Sequence, residues 1–267
     1  MAVKQALALA AVVLLGGCDD TLTLNKICES TPHMCSDLNT DSHCKDERAT
    51  LIFSRYEEHL RATEDNKFDL LKKFEKYDKC VYRASQIEHI KLKEKTTSRV
   101  NGHLTAQKEM YRLYQDTKET NHPGLLYFHW SRNNDQTAMN KLLAIEETPA
   151  VKNDAELQLY LATYYAKFDD TKTIDILYNV LELNKTGETP NPEVYTTLVS
   201  LYGKQEKYKH AYVFAKIAEL SGFKDIDILP IKHQLTSHGR SLDTLDELAL
   251  KTFNSIQAGE FISPRGL

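Results

Sequence analysis

Between Gly124 and Phe223 the apolar residues follow a pattern that predicts paired α-helices. They recur at spacings of three and four, which marks one buried face of a helix, and polar turns separate the helices. Equivalent positions in three successive pairs are Ala138, Ile174 and Ala211, which lie 36 and 37 residues apart. A repeat of this length predicts an all-α fold in which neighbouring helix pairs stack side by side.

The last pair carries the clearest signals. Asn191 is placed to cap a helix whose first residue is Pro192, a position where the missing N–H is no loss. Gly222 is placed to end the second helix, because glycine readily adopts the left-handed conformation of a C-terminal cap. The inner faces comprise Tyr195, Leu198, Val199 and Tyr202 in the first helix and Ala211, Ala215 and Ala218 in the second.

This pair resembles a tetratricopeptide repeat. The resemblance is carried by Tyr195, Leu198, Tyr202, Ala211 and Ala218, whereas Val199 stands where that family has a small residue. Two weaker copies precede it, namely Leu157, Leu161 and Tyr164 followed by Ile174, Leu177 and Leu181, and earlier Leu126 and His129 followed by Ala138, Leu142 and Ile145. The resemblance implies a tetratricopeptide-like helical-repeat solenoid, and a generic helical bundle is the alternative.

In the tetratricopeptide family, outward residues of the first helix of each pair line the surface that binds other proteins. In the last pair the resemblance therefore implies that partner-binding residues are Glu193, Thr196, Ser200 and Lys204. The expected partner is an envelope protein or peptide, for the reasons that follow from the N-terminus.

The N-terminal residues indicate export. Lys4 precedes the apolar run Ala6 to Leu15, which is shorter than the roughly 20 residues that span a bilayer. The segment Leu15-Gly16-Gly17-Cys18 resembles the lipobox of bacterial lipoproteins. This resemblance implies cleavage before Cys18, a diacylglyceryl thioether on its sulfur and acylation of its freed amine, whereas an ordinary secretory signal is the alternative.

Two acidic residues directly after the lipidated cysteine bear on location. Asp19 and Asp20 resemble the inner-membrane retention signal of enterobacterial lipoproteins. We therefore expect a protein that is anchored by lipid on the periplasmic side, at the inner membrane rather than the outer membrane.

Four cysteines remain after Cys18, and an even number in an oxidising compartment favours two disulfides. Among the three connectivities we favour Cys28 with Cys35 and Cys44 with Cys80. The alternative is a zinc site, since His33 and His43 lie beside Cys35 and Cys44, but the spacing lacks the Cys-x-x-Cys pattern of zinc knuckles.

The segment around these cysteines has a second metal pattern. Asp37, Asn39 and Asp41 alternate like the first ligands of a calcium loop, but Ser42 and Arg48 replace the glycine and the glutamate that such a loop requires. These three residues are weak calcium candidates, and a turn-rich loop is the favoured interpretation.

The same segment also carries a family resemblance. The motifs Cys35-Ser-Asp-Leu-Asn-x-Asp and Cys44-x-x-Glu47-Arg48, followed by helices, resemble an uncharacterised gammaproteobacterial lipoprotein family of unknown function. This resemblance implies no activity.

The helices before the repeats have their own apolar stripes. One buried helix face is predicted by Leu70, Phe74, Tyr77, Val81 and Ala84. A further helix is predicted from Ser98 to Lys118, with Val100, Leu104 and Leu113 as its apolar positions.

The sequence predicts the following order of segments along the chain. It begins with a signal peptide (1–17), a lipidated tether (18–27) and a Cys-rich loop segment (28–45). N-terminal helices (46–120), tetratricopeptide-like repeats (121–223) and C-terminal capping helices with a mobile tail from residue 261 (224–267) follow.

The sequence favours a binding protein over an enzyme. A net charge of −4 argues against a nucleic-acid partner, and the sequence implies no cofactor. Ser221-Gly-Phe-Lys224 and Lys185-Thr-Gly187 match two motifs of penicillin-binding proteins, but in the wrong order and outside any predicted strand. We therefore expect a lipid-anchored adaptor or scaffold of the cell envelope without catalytic residues, and a cell-wall-associated enzyme with unrecognised catalytic residues is the alternative.

Overall fold

The computed structural model describes residues 22–88, 91–237 and 241–264. These residues form thirteen α-helices and one 3-10 helix and contain no β-strand, which confirms the predicted all-α fold. They divide into two compact units, of which the first ends at Thr117 and the second begins at Lys118. None of the described helices is long and apolar enough to cross a membrane. The predicted signal peptide, Cys18 and the pair Asp19 and Asp20 lie outside the described residues.

Long helices dominate the N-terminal unit. Its elements are α1 (Leu24–Ser30), a 3-10 helix (Pro32–Met34), α2 (Lys45–Leu60), α3 (Glu64–Ser85) and α4 (Lys93–Asp116). The residues between the 3-10 helix and α2 form the irregular segment 35–44, which we call the N-terminal loop.

Two disulfides crosslink this unit, and both have the favoured pairing. Cys28 is bonded to Cys35, and Cys44, directly before α2, is bonded to Cys80 in α3. The second bond closes a separation of 36 residues. A crosslink of this length restricts the unfolded chain and contributes roughly 3–4 kcal/mol to stability in the chain-entropy account. The prediction of a disulfide-stapled N-terminal segment is therefore confirmed.

The predicted tether is wrong at its C-terminal end. Residues from Leu24 onward belong to α1, and the Thr23 hydroxyl oxygen caps this helix by accepting from the Lys26 N–H at 3.3 Å. Ile27 is completely buried. Burial of this side chain and the nearby disulfide explain why the segment is ordered although its sequence is mostly polar.

The stripe predicted for α3 is confirmed, because Leu70, Phe74, Tyr77, Val81 and Ala84 are all buried. It packs against α2 and α4.

The face predicted for α4 is wrong at two of its three positions. Val100 and Leu104 are 38% and 58% exposed, and only Leu113 is buried. The helix instead buries Arg99, Gly102 and Ala106 together with Leu113. At Gly102 the Tyr77 hydroxyl group of α3 and the Asn39 backbone nitrogen, 3.2 Å away, occupy the space around a would-be Cβ atom. The buried face of α4 is therefore determined by the close approach of α3 and by polar contacts, and not by the positions of the largest apolar residues.

Helix pairs build the C-terminal unit. Its elements are α5 (Pro123–Asn133), α6 (Gln136–Ala144), α7 (Pro149–Lys152), α8 (Ala155–Tyr165), α9 (Asp170–Glu182), α10 (Pro192–Lys204), α11 (Tyr208–Leu220), α12 (Leu229–Thr236) and α13 (Asp243–Gln257). The pairs α5 with α6, α8 with α9, and α10 with α11 correspond to the three copies found in the sequence.

The signals of the last pair are confirmed in detail. The Asn191 side chain caps α10 by accepting from the Glu193 N–H at 2.9 Å, and Pro192 is the first helical residue. Gly222, after α11, has a φ of +88°, the left-handed region that favours glycine. The apolar faces meet as expected, with Tyr195, Leu198 and Tyr202 of α10 and Ala211, Ala215 and Ala218 of α11 all buried.

The end of the chain packs onto the helix pairs. Helix α13 contacts α11, and the Gln257 carbonyl oxygen accepts from the Gly187 N–H at 3.0 Å. The sequence predicts a mobile tail from residue 261 onward, but two residues of the described part, 261–264, contact the helix pairs. The Phe261 ring stacks near Tyr178, with centroids 6.2 Å apart, and the Ser263 N–H donates to the Glu182 carboxylate at 2.8 Å. Aromatic burial and this charge-assisted hydrogen bond explain the difference.

Replacing Gly102 tests the close approach of α3 and α4. Gly102→Ala is expected to lower the free energy of unfolding by about 1–3 kcal/mol, because the added methyl group displaces the Tyr77 hydroxyl group. The control is Gly203→Ala in α10, where no atom lies within 4 Å of the new Cβ atom. There the substitution is expected to raise stability by about 0.5–1 kcal/mol. Urea denaturation followed by circular dichroism measures both effects, and a stabilising Gly102→Ala would contradict this packing.

Candidate functional site

The weak calcium candidates lie in the N-terminal loop, where arginines compensate both carboxylates. Arg55 donates to the two carboxylate oxygens of Asp37 at 2.7 and 3.0 Å. Arg99 donates through Nε to Asp41 Oδ2 at 2.7 Å, and its Nη2 lies 2.6 Å from the same oxygen. Because both negative charges already have cationic partners, this arrangement supports the interpretation as a structural loop.

Asn39, the third candidate, is also used within the loop and its surroundings. Its Oδ1 accepts from the Tyr77 hydroxyl group at 2.9 Å, and its Nδ2 donates to Asp41 Oδ1 at 2.7 Å. Burial raises the pKa of Tyr77 to about 12, so its hydroxyl group stays protonated over the physiological pH range. These bonds attach the loop to α3.

The charge state of Asp41 reflects its contacts. Burial alone would raise the pKa of its carboxyl group, but hydrogen bonds from Arg99 and Asn39 and the positive charge of Arg99 outweigh this effect. The pKa of Asp41 is therefore held below the ordinary value of 3.8. Asp41 thus stays ionised and keeps the buried Arg99 compensated.

The two cysteines of the alternative zinc site are not available as metal ligands. Cys35 and Cys44 are in disulfides, so neither provides the thiolate that zinc requires. The Nδ1 of His43 lies 2.9 Å from Nη2 of Arg99, and the His33 ring lies against His59 with centroids 5.8 Å apart.

The four proposed partner-binding residues lie together on α10. Glu193, Thr196, Ser200 and Lys204 are all exposed, while the opposite side of the same helix is buried. Lys204 Nζ lies 2.7 Å from a carboxylate oxygen of Asp170, the first residue of α9, yet the Lys204 side chain is 69% exposed. We call these four residues the α10 face. It presents one acidic group, two hydroxyl groups and one basic group, and this set can bind a peptide but contains no nucleophile activated by a base.

A cavity that sequence reasoning missed lies in the same unit. It has a volume of about 230 Å³, and its lining includes Glu146, Lys172 and Asn179. Lys172 Nζ donates to Glu146 at 2.8 Å and to the Tyr165 hydroxyl oxygen at 2.7 Å, and Tyr165 in turn donates to Glu146 at 2.7 Å. Burial and the Glu146 carboxylate raise the pKa of Tyr165. No sequence pattern could have found this network, because its members lie up to 26 residues apart.

The hydroxyl groups of the two enzyme-like motifs bond to the backbone. Ser221 donates to the Ile217 carbonyl oxygen at 2.8 Å, and Thr186 donates to the Ala258 carbonyl oxygen at 2.9 Å. The segment Lys185 to Gly187 lies in the loop between α9 and α10.

Comparison with known proteins gives one match. A family model described as "Protein of unknown function (DUF2989)" matches residues 15–216, which is most of the chain. No curated protein and no solved structure matches.

The pKa of Asp41 leads to a pH-dependent stability. Its pKa is lower in the folded chain than in the unfolded chain, so its contribution to stability is complete above the unfolded value of 3.8 and is lost as the pH falls below it. Asp41→Asn is expected to remove this part of the acid sensitivity. It also lowers stability at neutral pH by about 3 kcal/mol, because Arg99 stays buried without its counter-ion.

Urea denaturation at several pH values between 2 and 6 measures this slope. Asp46→Asn, at an exposed position in the first turn of α2, removes the same charge and serves as the control. It is expected to retain the acid sensitivity of the wild type. An unchanged slope in Asp41→Asn would show that Asp41 is not responsible.

Proposed function

The chain belongs to this family of unknown function, and on that premise we propose that it is a lipid-anchored adaptor or scaffold of the bacterial cell envelope. It faces the periplasm and binds another envelope protein or peptide through the α10 face. The observation that carries this proposal is the exposure of all four residues of that face on a helix whose other side contains its five buried residues.

Packing contacts hold α10 in place, and a preorganised face favours binding because less conformational entropy is lost. Inside the unit the hydroxyl groups of Tyr202 and Tyr178 are hydrogen-bonded at 2.7 Å. The Tyr202 ring also stacks on Phe214 of α11, with centroids 6.0 Å apart. Together with the Asn191 cap, these contacts fix the orientation of α10 before any partner arrives.

Charge along the face indicates what kind of partner it fits. Glu193 lies at the start of α10 and Lys204 at its end, which places them about 16 Å apart at 1.5 Å per residue. Thr196 and Ser200 lie between them and offer hydrogen bonds without charge. A peptide segment with a basic residue at one end and an acidic residue at the other complements this order.

The disulfides support the proposed compartment. Disulfides persist in the periplasm and are rare in the cytosol, where thiols are kept reduced. All four cysteines of the described residues are paired in two such bonds. With the lipobox-like segment ending at Cys18, this favours a folded body that is exported and tethered.

Site-specific photo-crosslinking in cells tests the α10 face. A photoreactive amino acid at Thr196 or Ser200 is expected to give a defined crosslinked product, because a partner bound there lies within reach of the probe. Thr244 of α13 is also an exposed threonine and provides the matched control position. Products are identified by mass spectrometry. Equal crosslinking at Thr196 and Thr244, or none at either, would contradict a binding site on α10.

Replacing Cys18 tests the anchor. Cys18→Ser removes the sulfur atom that would carry the lipid, and each buried methylene of an acyl chain contributes about 0.8 kcal/mol to membrane binding. The N-terminal peptide is therefore expected to lose the mass of the lipid, which mass spectrometry of the purified protein measures. An N-terminal peptide of the variant that still carries the mass of the lipid would show that the anchor is not at Cys18.

A further inference from the structure

A recess in the N-terminal unit has a positively charged rim. Its volume is about 500 Å³, and it lies beside the disulfide between Cys44 and Cys80. The lining residues are Lys76, Lys79, Cys80, Arg83, Ala84 and Ile87 of α3 and the residues that follow it, with His43 and Glu47 on the other side.

The helical repeat brings the three cations of α3 together. Lys76, Lys79 and Arg83 are separated by three and four residues, so they share one side of the helix. All three are exposed, and none is ion-paired with a carboxylate of the described residues. Asp78, which lies between two of them in sequence, faces α4, where it binds Nδ1 of His103 at 2.6 Å and Nε2 of Gln107 at 2.7 Å. It therefore does not neutralise the rim.

Three other arginines of the same unit, all at least partly buried, have acidic partners. Arg55 is paired with Asp37, Arg99 with Asp41, and Arg112 with Glu58 at 3.4 Å. Each of these three arginines, which contribute to the packing of the unit, is therefore paired with a carboxylate. The cations around the recess are a separate group whose charge remains directed toward solvent.

The recess is preformed. The disulfide between Cys44 and Cys80 joins the start of α2 to the C-terminal part of α3, with Cα atoms 5.9 Å apart. Glu47 is positioned by the same junction, since its carboxylate lies within 4.8 Å of both sulfur atoms. On the opposite side, Ile87 is 47% exposed and provides an apolar surface.

We propose that this recess binds a phosphate group carried by an anionic ligand. Three cations face a single carboxylate, Glu47, so the rim retains a net positive charge. A guanidinium group can donate two parallel hydrogen bonds to phosphate, and ammonium groups add point charges that tolerate several geometries. The apolar surface of Ile87 fits the carbon substituent of a phosphate ester. The phosphate can come from a phospholipid headgroup or from a soluble compound, and the experiment separates these sources.

The test uses the chain from residue 18 onward with Cys18→Ser, so that neither an acyl chain on this residue nor the apolar run Ala6 to Leu15 can itself bind lipid. Titration calorimetry with inorganic phosphate measures the soluble source. Cosedimentation with vesicles of phosphatidylglycerol, compared with vesicles of phosphatidylcholine, measures the headgroup source. The recess variant is Lys79→Ala with Arg83→Ala. The control is Lys93→Ala with Lys108→Ala, which removes the same charge at exposed positions of α4.

We expect binding in at least one of the two assays to weaken by about tenfold or more in the recess variant, because each lost charged hydrogen bond costs that order of affinity. The control is expected to stay within about twofold of the parent chain. Circular dichroism establishes that both variants are folded. Absence of binding in both assays, or equal weakening in the recess and control variants, would overturn the proposal. Neither result bears on the α10 face, which lies in the other unit.

Discussion

The buried guanidinium group of Arg99 is the interaction on which the N-terminal unit depends. Only 1% of this residue is exposed, and its donors bind Asp41 of the N-terminal loop, the Ala84 carbonyl oxygen of α3 and His43. A buried cation without partners destabilises a protein by several kcal/mol, so the positions of α4, α3 and the loop depend on one another in the folded unit. This explains how a segment without regular secondary structure is held in one conformation.

The C-terminal unit is organised by a different constraint. Each helix pair must bury an apolar face, and the small residues Ala211, Ala215 and Ala218 of α11 allow α10 to approach closely. Once its inner side is committed to this packing, α10 has only its outer side left for binding. This packing is consistent with the proposed function, because the same helix supplies both a core contact and an exposed polar surface.

Features with local causes could be predicted from the sequence. The α3 stripe, the Asn191 cap and the Gly222 turn follow from residue type and spacing, and the exposure of Thr196 and Ser200 follows from the same helical period. The all-α class follows from the sum of such signals.

Features with distant causes could not be predicted. Arg99 and Gly102 look like surface residues in the sequence, and their burial depends on Asp41 and Tyr77, which are remote in the chain. A mobile tail is expected from the sequence because it contains Pro264 and Gly266, and the contact between Phe261 and Tyr178 forms only in the folded unit. The cationic recess is also invisible in the sequence, since it requires the disulfide that places Glu47 opposite the cations of α3.

The central claim is that the α10 face binds an envelope protein. The most direct measurement is quantitative mass spectrometry of proteins that copurify with the full chain, comparing the wild type with the double variant Glu193→Lys, Lys204→Glu. This variant reverses the order of charges along α10 while the net charge stays the same. The account predicts one envelope protein that is enriched with the wild type and is lost with the variant. An identical set of copurifying proteins for both chains would contradict it.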